Sequence, residues 1–127
     1  MPPRQATPVQ GTAEIVERGP DRGTTRVTVD AGEQVFPGHY PGFPIFPGVC
    51  VVEHIHLSAL ATAPEPGLRM EAIESTRFLS PVFPGDRLAI DLTWERKGGK
   101  WRCKAVAATA RGDSAKVRIR FSEGHDQ

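Results

Sequence analysis

The sequence has only two cysteines, one tyrosine and almost no net charge, and it contains no long unbroken apolar run. Each shortage excludes something. Cys50 and Cys103 are too few for a disulfide framework in a chain of ordinary core-forming composition, so they read as small buried hydrophobes. Sixteen basic against fifteen acidic side chains leave a formal charge of +1. That gives no broad field for gripping nucleic acid or an anionic membrane, so any charged partner has to meet a local patch. No window approaches the ~20 apolar residues of a membrane span, and the first ten residues lack the apolar stretch of a secretory signal. The expectation is a soluble cytoplasmic protein that binds neither membrane nor nucleic acid.

With Tyr set aside, the hydrophobic residues and glycine together make up about 48% of the 127 residues, inside the ~45–50% of ordinary globular domains, which excludes global disorder. The length fits one domain. Segments 1–9 and 123–127 are polar and aperiodic and read as tails, leaving 10–122 as the domain. Proline and glycine total 25 residues, and seven of them fall between Pro37 and Gly48, interleaved with Phe36, His39, Tyr40, Phe43 and Phe46. This loop is the least ordinary part of the chain.

The rest is largely strand pattern. Ala13–Val16 and Thr24–Asp30 flank a Gly19-Pro20-Asp21 turn signal. Leu88, Ile90, Leu92 and Trp94 alternate with polar or small residues, as do Trp101, Cys103, Ala105 and Ala107, and then Val117, Ile119 and Phe121. Turns at Lys97-Gly98-Gly99 and Arg111-Gly112-Asp113 make these three consecutive antiparallel strands. Leu68–Leu79 is rich in strand formers, but its alternation breaks at Ile73 and Leu79, predicting a strand with neighbours on both faces. One helix is predicted, Val49–Ala63, bounded by Pro47-Gly48 and by Pro64-Glu65-Pro66-Gly67. It has no continuous polar face and should be buried. The architecture is therefore α+β: five or six antiparallel strands wrapped around one central helix.

Glu53 interrupts that apolar helix. A carboxyl group so placed loses hydration, which favours the protonated form that can donate a proton, or else it is a structural carboxylate tied to a neighbouring Arg or His. His39, fixed by flanking glycines and prolines and walled by aromatics, is suited to accept a proton, or is a loop histidine bonded to backbone. Gly48 leaves a helix-start N–H open to a developing oxyanion, and it also has a purely conformational explanation. A metal site at His39, Glu53 and His56 lacks a further recognised ligand; none is expected.

The run Phe36-Pro37-Gly38-His39-Tyr40-Pro41-Gly42 through Pro47-Gly48-Val49 to Glu53 resembles the β-hydroxyacyl-acyl carrier protein dehydratases of fatty acid synthesis. Those enzymes carry a Gly-His-Phe-Pro loop, a Pro-Gly-Val turn and a helix Glu fourteen residues after the His, the same interval as from His39 to Glu53. A second stretch, Arg77-Phe78-Leu79-Ser80-Pro81-Val82-Phe83-Pro84-Gly85-Asp86, is similar to the family's Arg-Phe-x-x-Pro-Val-x-Pro-Gly-Asp turn. The resemblance covers roughly residues 11–122.

It implies the hotdog fold, a curled antiparallel sheet around a long central helix. It also implies a dimer, homomeric or formed with another hotdog subunit, or a trimer of dimers, in which His39 of one chain faces Glu53 of the other. Carried over, His39 takes the α-proton of a thioester, Glu53 protonates the departing β-hydroxyl, and the Gly48 N–H binds the thioester oxygen. The enzyme is then a hydro-lyase making a trans-2-enoyl thioester in fatty acid, polyketide or polyene assembly. It needs no cofactor beyond the phosphopantetheine of the acyl carrier protein that holds the substrate. Tyr40, Phe46, His56 and Leu57 are the expected substrate-binding residues.

One departure stands out. Many family members follow the Glu with Ala-x-Ala-Gln, whereas this chain reads Glu53-His54-Ile55-His56-Leu57. Leu57 replaces the Gln that orients the carboxylate, and His56, three residues beyond Glu53, is placed to take over that task. Two other functions stay open: a hotdog thioester hydrolase, which the same fold supports but which needs an activated water at the carbonyl rather than a base at Cα, and, if Leu57 disables the site, a non-catalytic subunit. Arg77, Arg87, Arg102 and Lys104 are either contacts for an acidic carrier protein or plain surface charge.

Overall fold

The computed structural model describes residues 13–29 and 48–123. The tails at 1–9 and 124–127, and the loop with His39, Tyr40 and Phe46, lie outside those residues. Among the described residues, six strands form one antiparallel sheet: β1 (Glu14–Arg18), β2 (Arg22–Thr28), β3 (Leu68–Phe78), β4 (Arg87–Lys97), β5 (Lys100–Thr109) and β6 (Gly112–Glu123), with Glu123, expected in the tail, as the last strand residue. Their order across the sheet is β1-β2-β4-β5-β6-β3. The helix α1 (Gly48–Ala61) touches β3, β4, β5 and β6, so the sheet wraps around it in the hotdog arrangement.

Period-two patterning explains the inward face. Leu88, Ile90, Leu92 and Trp94 of β4, Cys103, Ala105 and Ala107 of β5, and Val117, Ile119 and Phe121 of β6 are all buried. They meet Cys50, Val51, Ile55 and Ala59 of α1. Fully burying a side chain such as Ile55 is worth roughly 1.5–3 kcal/mol, which makes this face the main source of the helix's stability. Gly98 and Gly99, both at positive φ, turn β4 back into β5, as a two-residue hairpin requires. Both cysteines are buried thiols without a disulfide, and burial pushes Cys103 up to about 12. Among the described residues, no helix is long and apolar enough to cross a membrane.

Two expectations change. Strand β3 is not packed on both faces: it is the sheet's edge, with Met70, Ile73 and Phe78 at 40%, 42% and 54% exposed. Its alternation breaks because the pairing with β6 shifts between Met70 and Ala72 and again between Ile73 and Ser75. Each bulge inserts one extra residue, Glu71 and then Glu74, and resets which side faces inward. Helix α1 is not buried all round either. Val49 and Leu60 are exposed, and Glu53 and His56 between them are half-buried. An apolar stripe has the same sequence pattern whether its cover is the chain's own sheet or something else.

The helix is also pinned by a polar contact. Thr25 Oγ1 of β2 and Ser58 Oγ of α1 are 2.7 Å apart, and both residues are fully buried. Removing one hydroxyl strands the other away from water. Ser58→Ala is expected to lower unfolding free energy by about 1–3 kcal/mol in denaturant titrations, while adding Thr25→Val to it costs less than the sum of the single changes.

Candidate active site

Gly48 opens α1, and its first-turn N–H groups have no partner inside the helix. The Phe78 ring of β3 packs directly on it: a Cβ built at Gly48 would lie 2.7 Å from Phe78 Cζ. The two residues border a cavity of about 430 Å³ shared with Val51, Leu79, Pro81 and Val82. Phe78 was not among the expected site residues. Its signal was the second motif, where it follows Arg77, but that motif is silent about which element the ring touches.

The rest of that motif is structural. Asp86 accepts a hydrogen bond from the Phe83 N–H at 2.7 Å and is gripped through both carboxylate oxygens by Arg111. The guanidinium also lies over the Phe83 ring, 5.0 Å from its centroid. Hydrogen bonds from Arg111 hold the Asp86 carboxyl below the usual carboxylate range. The turn into β4 is thereby locked beside the cavity.

Glu53 lies five residues after Gly48, roughly 7.5 Å along the helix axis. Its side chain is 23% exposed, on the uncovered stripe of α1. His56, 22% exposed, sits one turn on with Nδ1 3.4 Å from Glu53 Oε1. The imidazole is backed by buried Phe121, with ring centroids 6.4 Å apart, and Phe121 in turn packs on Trp94. Glu53 and His56 thus meet as the spacing predicted. Leu57 is half-buried and packs against the core cluster, leaving no hydrogen-bonding group at the position where the family carries Gln. His39, Tyr40 and Phe46 lie outside the described residues.

His54 points into the interior, 1% exposed. Burial lowers it to about 4, opposed in smaller measure by the nearby Glu53 charge. A neutral imidazole of this kind is a core residue and cannot act as a charged acid near neutrality.

The family model for ApeI-like proteins, described as ApeI dehydratase, matches residues 16–116. A 3-hydroxyacyl-[acyl-carrier-protein] dehydratase of Rhodospirillum rubrum is 36% identical over 94 residues, covering 67% of this chain and 58% of that one. Its counterpart from Polynucleobacter necessarius is 35% identical over 108 residues, covering 80% and 72%. The chain thus spans as little as 58% of the length of the relatives it matches. Among solved structures, a chain of the dehydratase heterocomplex ApeI:P from Xenorhabdus doucetiae superposes with a TM-score of 0.72 at 20% identity, covering 88% of this chain and 99% of that one.

Burial of the neutral His54 imidazole makes stability depend on pH. Between about 4 and the unfolded value of 6.5 the unfolded chain binds the extra proton, so stability is full above pH 6.5 and is lost as pH falls towards 4. The loss attributable to this group is on the order of 3 kcal/mol. His54→Leu should flatten that segment of the stability profile in denaturant titrations run across the pH range.

Proposed function

The chain belongs to the ApeI-like dehydratase family, and on that footing we propose that it removes water from a 3-hydroxyacyl thioester held on an acyl carrier protein. The observation that carries the reading is Glu53: an acid on an otherwise apolar helix, half-open to its surroundings, five residues past Gly48 and fourteen past His39. In the proposed reaction His39 takes the proton from Cα. The carbonyl oxygen gathers negative charge and is met by the Gly48 N–H at the positive end of α1. Glu53 gives a proton to the leaving β-hydroxyl, water departs and a trans-2-enoyl thioester remains. The thioester itself acidifies Cα, so the elimination asks for no metal or redox group.

His56 is the positioning residue in this scheme. Its Nδ1 lies against Glu53 Oε1, and the neighbouring Leu57 offers no donor. Tyr40, Phe46 and Leu57 are proposed to border the acyl chain. Two chains assemble so that His39 of one faces Glu53 of the other. Supporting this, the uncovered stripe of α1 and the concave side of edge strand β3 leave Val49, Leu60, Met70, Ile73 and Phe78 exposed in the single chain.

A hotdog scaffold serves hydrolysis as well as elimination, and the product distinguishes them. Mass spectrometry of a 3-hydroxyacyl carrier protein incubated with the protein should show loss of water. Loss of the acyl group would indicate a hydrolase, and no change would indicate a non-catalytic subunit. Glu53→Gln and His39→Ala are each expected to lower kcat by about 10²–10⁴-fold with circular dichroism unchanged. His56→Ala should lower kcat more than it raises KM, with His56→Asn, which keeps a donor near the Nδ1 position, recovering part of the loss. Unchanged turnover in His56→Ala would remove His56 from the scheme.

A further inference from the structure

The outer face of the sheet, turned away from α1, carries an arrangement of charge that the fold does not need. In the β5–β6 pairing, Arg102 lies opposite Arg120 and Lys104 opposite Arg118; in the β3–β6 pairing, Arg77 lies opposite Lys116. Three cross-strand pairs therefore set like charges face to face, an arrangement that destabilises a sheet.

The first pair is compensated. Glu71 and Glu74, the two extra residues inserted by the β3 bulges, reach across to it: Arg120 bonds both, at 2.7 and 2.9 Å, and Arg102 bonds Glu74 at 3.0 Å. Lys100 completes the network at 2.7 Å from Glu71. The other two pairs have no such relief. Among the described residues, no carboxylate forms an ion pair with Arg77, Lys104, Lys116 or Arg118.

Those four cations, with Ser75 and Val106, border a groove of about 530 Å³ across β3, β5 and β6. A chain whose net charge is only +1 has thus collected four uncompensated positive charges in one concavity. The groove also lies beside the active-site end of the molecule. Arg77 opposite Lys116 faces outward, while the next residue, Phe78, opposite buried Ala115, faces inward and packs on Gly48. Consecutive Cα atoms are ~3.8 Å apart, so the groove and the Gly48 cavity share one short stretch of the edge strand.

We propose that this groove is the docking surface for the acidic carrier protein that presents the acyl thioester. The assignment rests on the dehydratase reading for the identity of the carrier, and on the register and charge pairing for the place. The carrier supplies the negative charge that β3 does not, and docking there holds its prosthetic arm next to the strand that leads to Gly48. Arg102 is excluded because Glu74 occupies it, and Arg87 because it borders a separate cleft with Glu14 and Arg26.

Lys116→Glu and Arg118→Glu, made singly in the full chain, test the assignment, with Arg87→Glu as a control of equal charge change. The substrates are a 3-hydroxyacyl chain on the carrier protein of Rhodospirillum rubrum and the same chain on N-acetylcysteamine, which keeps the thioester and omits the carrier. Each groove variant should raise KM for the carrier substrate at least fivefold, weaken its dependence on salt, and leave kcat/KM for the small thioester within twofold of wild type. Arg87→Glu should change neither. Unchanged KM in the groove variants, equal losses on both substrates, or an equal effect of Arg87→Glu would overturn the proposal.

Titration of the holo carrier against wild type and variants separates this inference from the reaction. If wild type dehydrates neither substrate, the dehydratase reading fails, yet carrier binding that is lost only in the groove variants would still support the docking surface. Absence of carrier binding by wild type, or tighter binding of duplex DNA than of the carrier, would overturn it.

Discussion

The packing of one face of α1 against the concave side of the sheet is the constraint on which the remaining geometry rests. Cys50, Val51, Ile55 and Ala59 are fully or almost fully buried there, and the Thr25–Ser58 hydroxyl pair prevents the helix from rolling to another apolar face. Because the helix is apolar nearly all round, hydrophobicity alone would tolerate several rotations. The hydroxyl pair supplies the specificity, since another rotation would carry Ser58 away and leave the buried Thr25 hydroxyl without this partner. Once that rotation is set, His54 turns into the core and Glu53 and His56 turn out, although the three residues lie within a single turn.

The same rotation places Gly48 under Phe78. A side chain there would have to displace the Phe78 ring, so glycine allows the ring its close approach, independently of any role for its N–H. The two demands coincide: the backbone is left without a side chain at the one place where strand β3, the helix start and the cavity meet. The Asp86–Arg111 clamp holds the far wall of that cavity by anchoring the turn between Phe83 and Asp86. The residues proposed for chemistry and those that hold the architecture are thus neighbours at one end of the sheet.

Strand β3 shows how a local irregularity serves two surfaces at once. Its bulges direct Glu71 and Glu74 to the outer face, where they neutralise Arg102 and Arg120, and they keep Met70, Ile73 and Phe78 on the inner face despite uneven spacing. One stretch of the outer face is thereby left strongly positive, while the inner edge is left apolar. The edge strand, usually the part of a sheet most exposed to wrong pairing, here carries the features that bear on the proposed partners.

Strands β4, β5 and β6 were legible residue by residue, because a period of two is unmistakable when every second side chain is buried and glycine turns mark the ends. The helix was legible from its length and its flanking prolines, and Glu53 from being an acid in an apolar run. The Glu53–His56 pairing followed from helical spacing alone, since positions three apart are neighbours on any helix. What could not be read locally was everything that depends on which elements become neighbours. The alternation of β3 predicted a strand covered on both sides, because a bulge and a buried strand disturb a period in the same way. Lys116 and Arg118 carry no local signal, because a charge gains significance only when the register sets another opposite it. The burial of His54 beside the openness of Glu53 likewise belongs to the three-dimensional packing: covalent sequence specifies how residues follow one another, and only long-range contacts specify which of them lose their water.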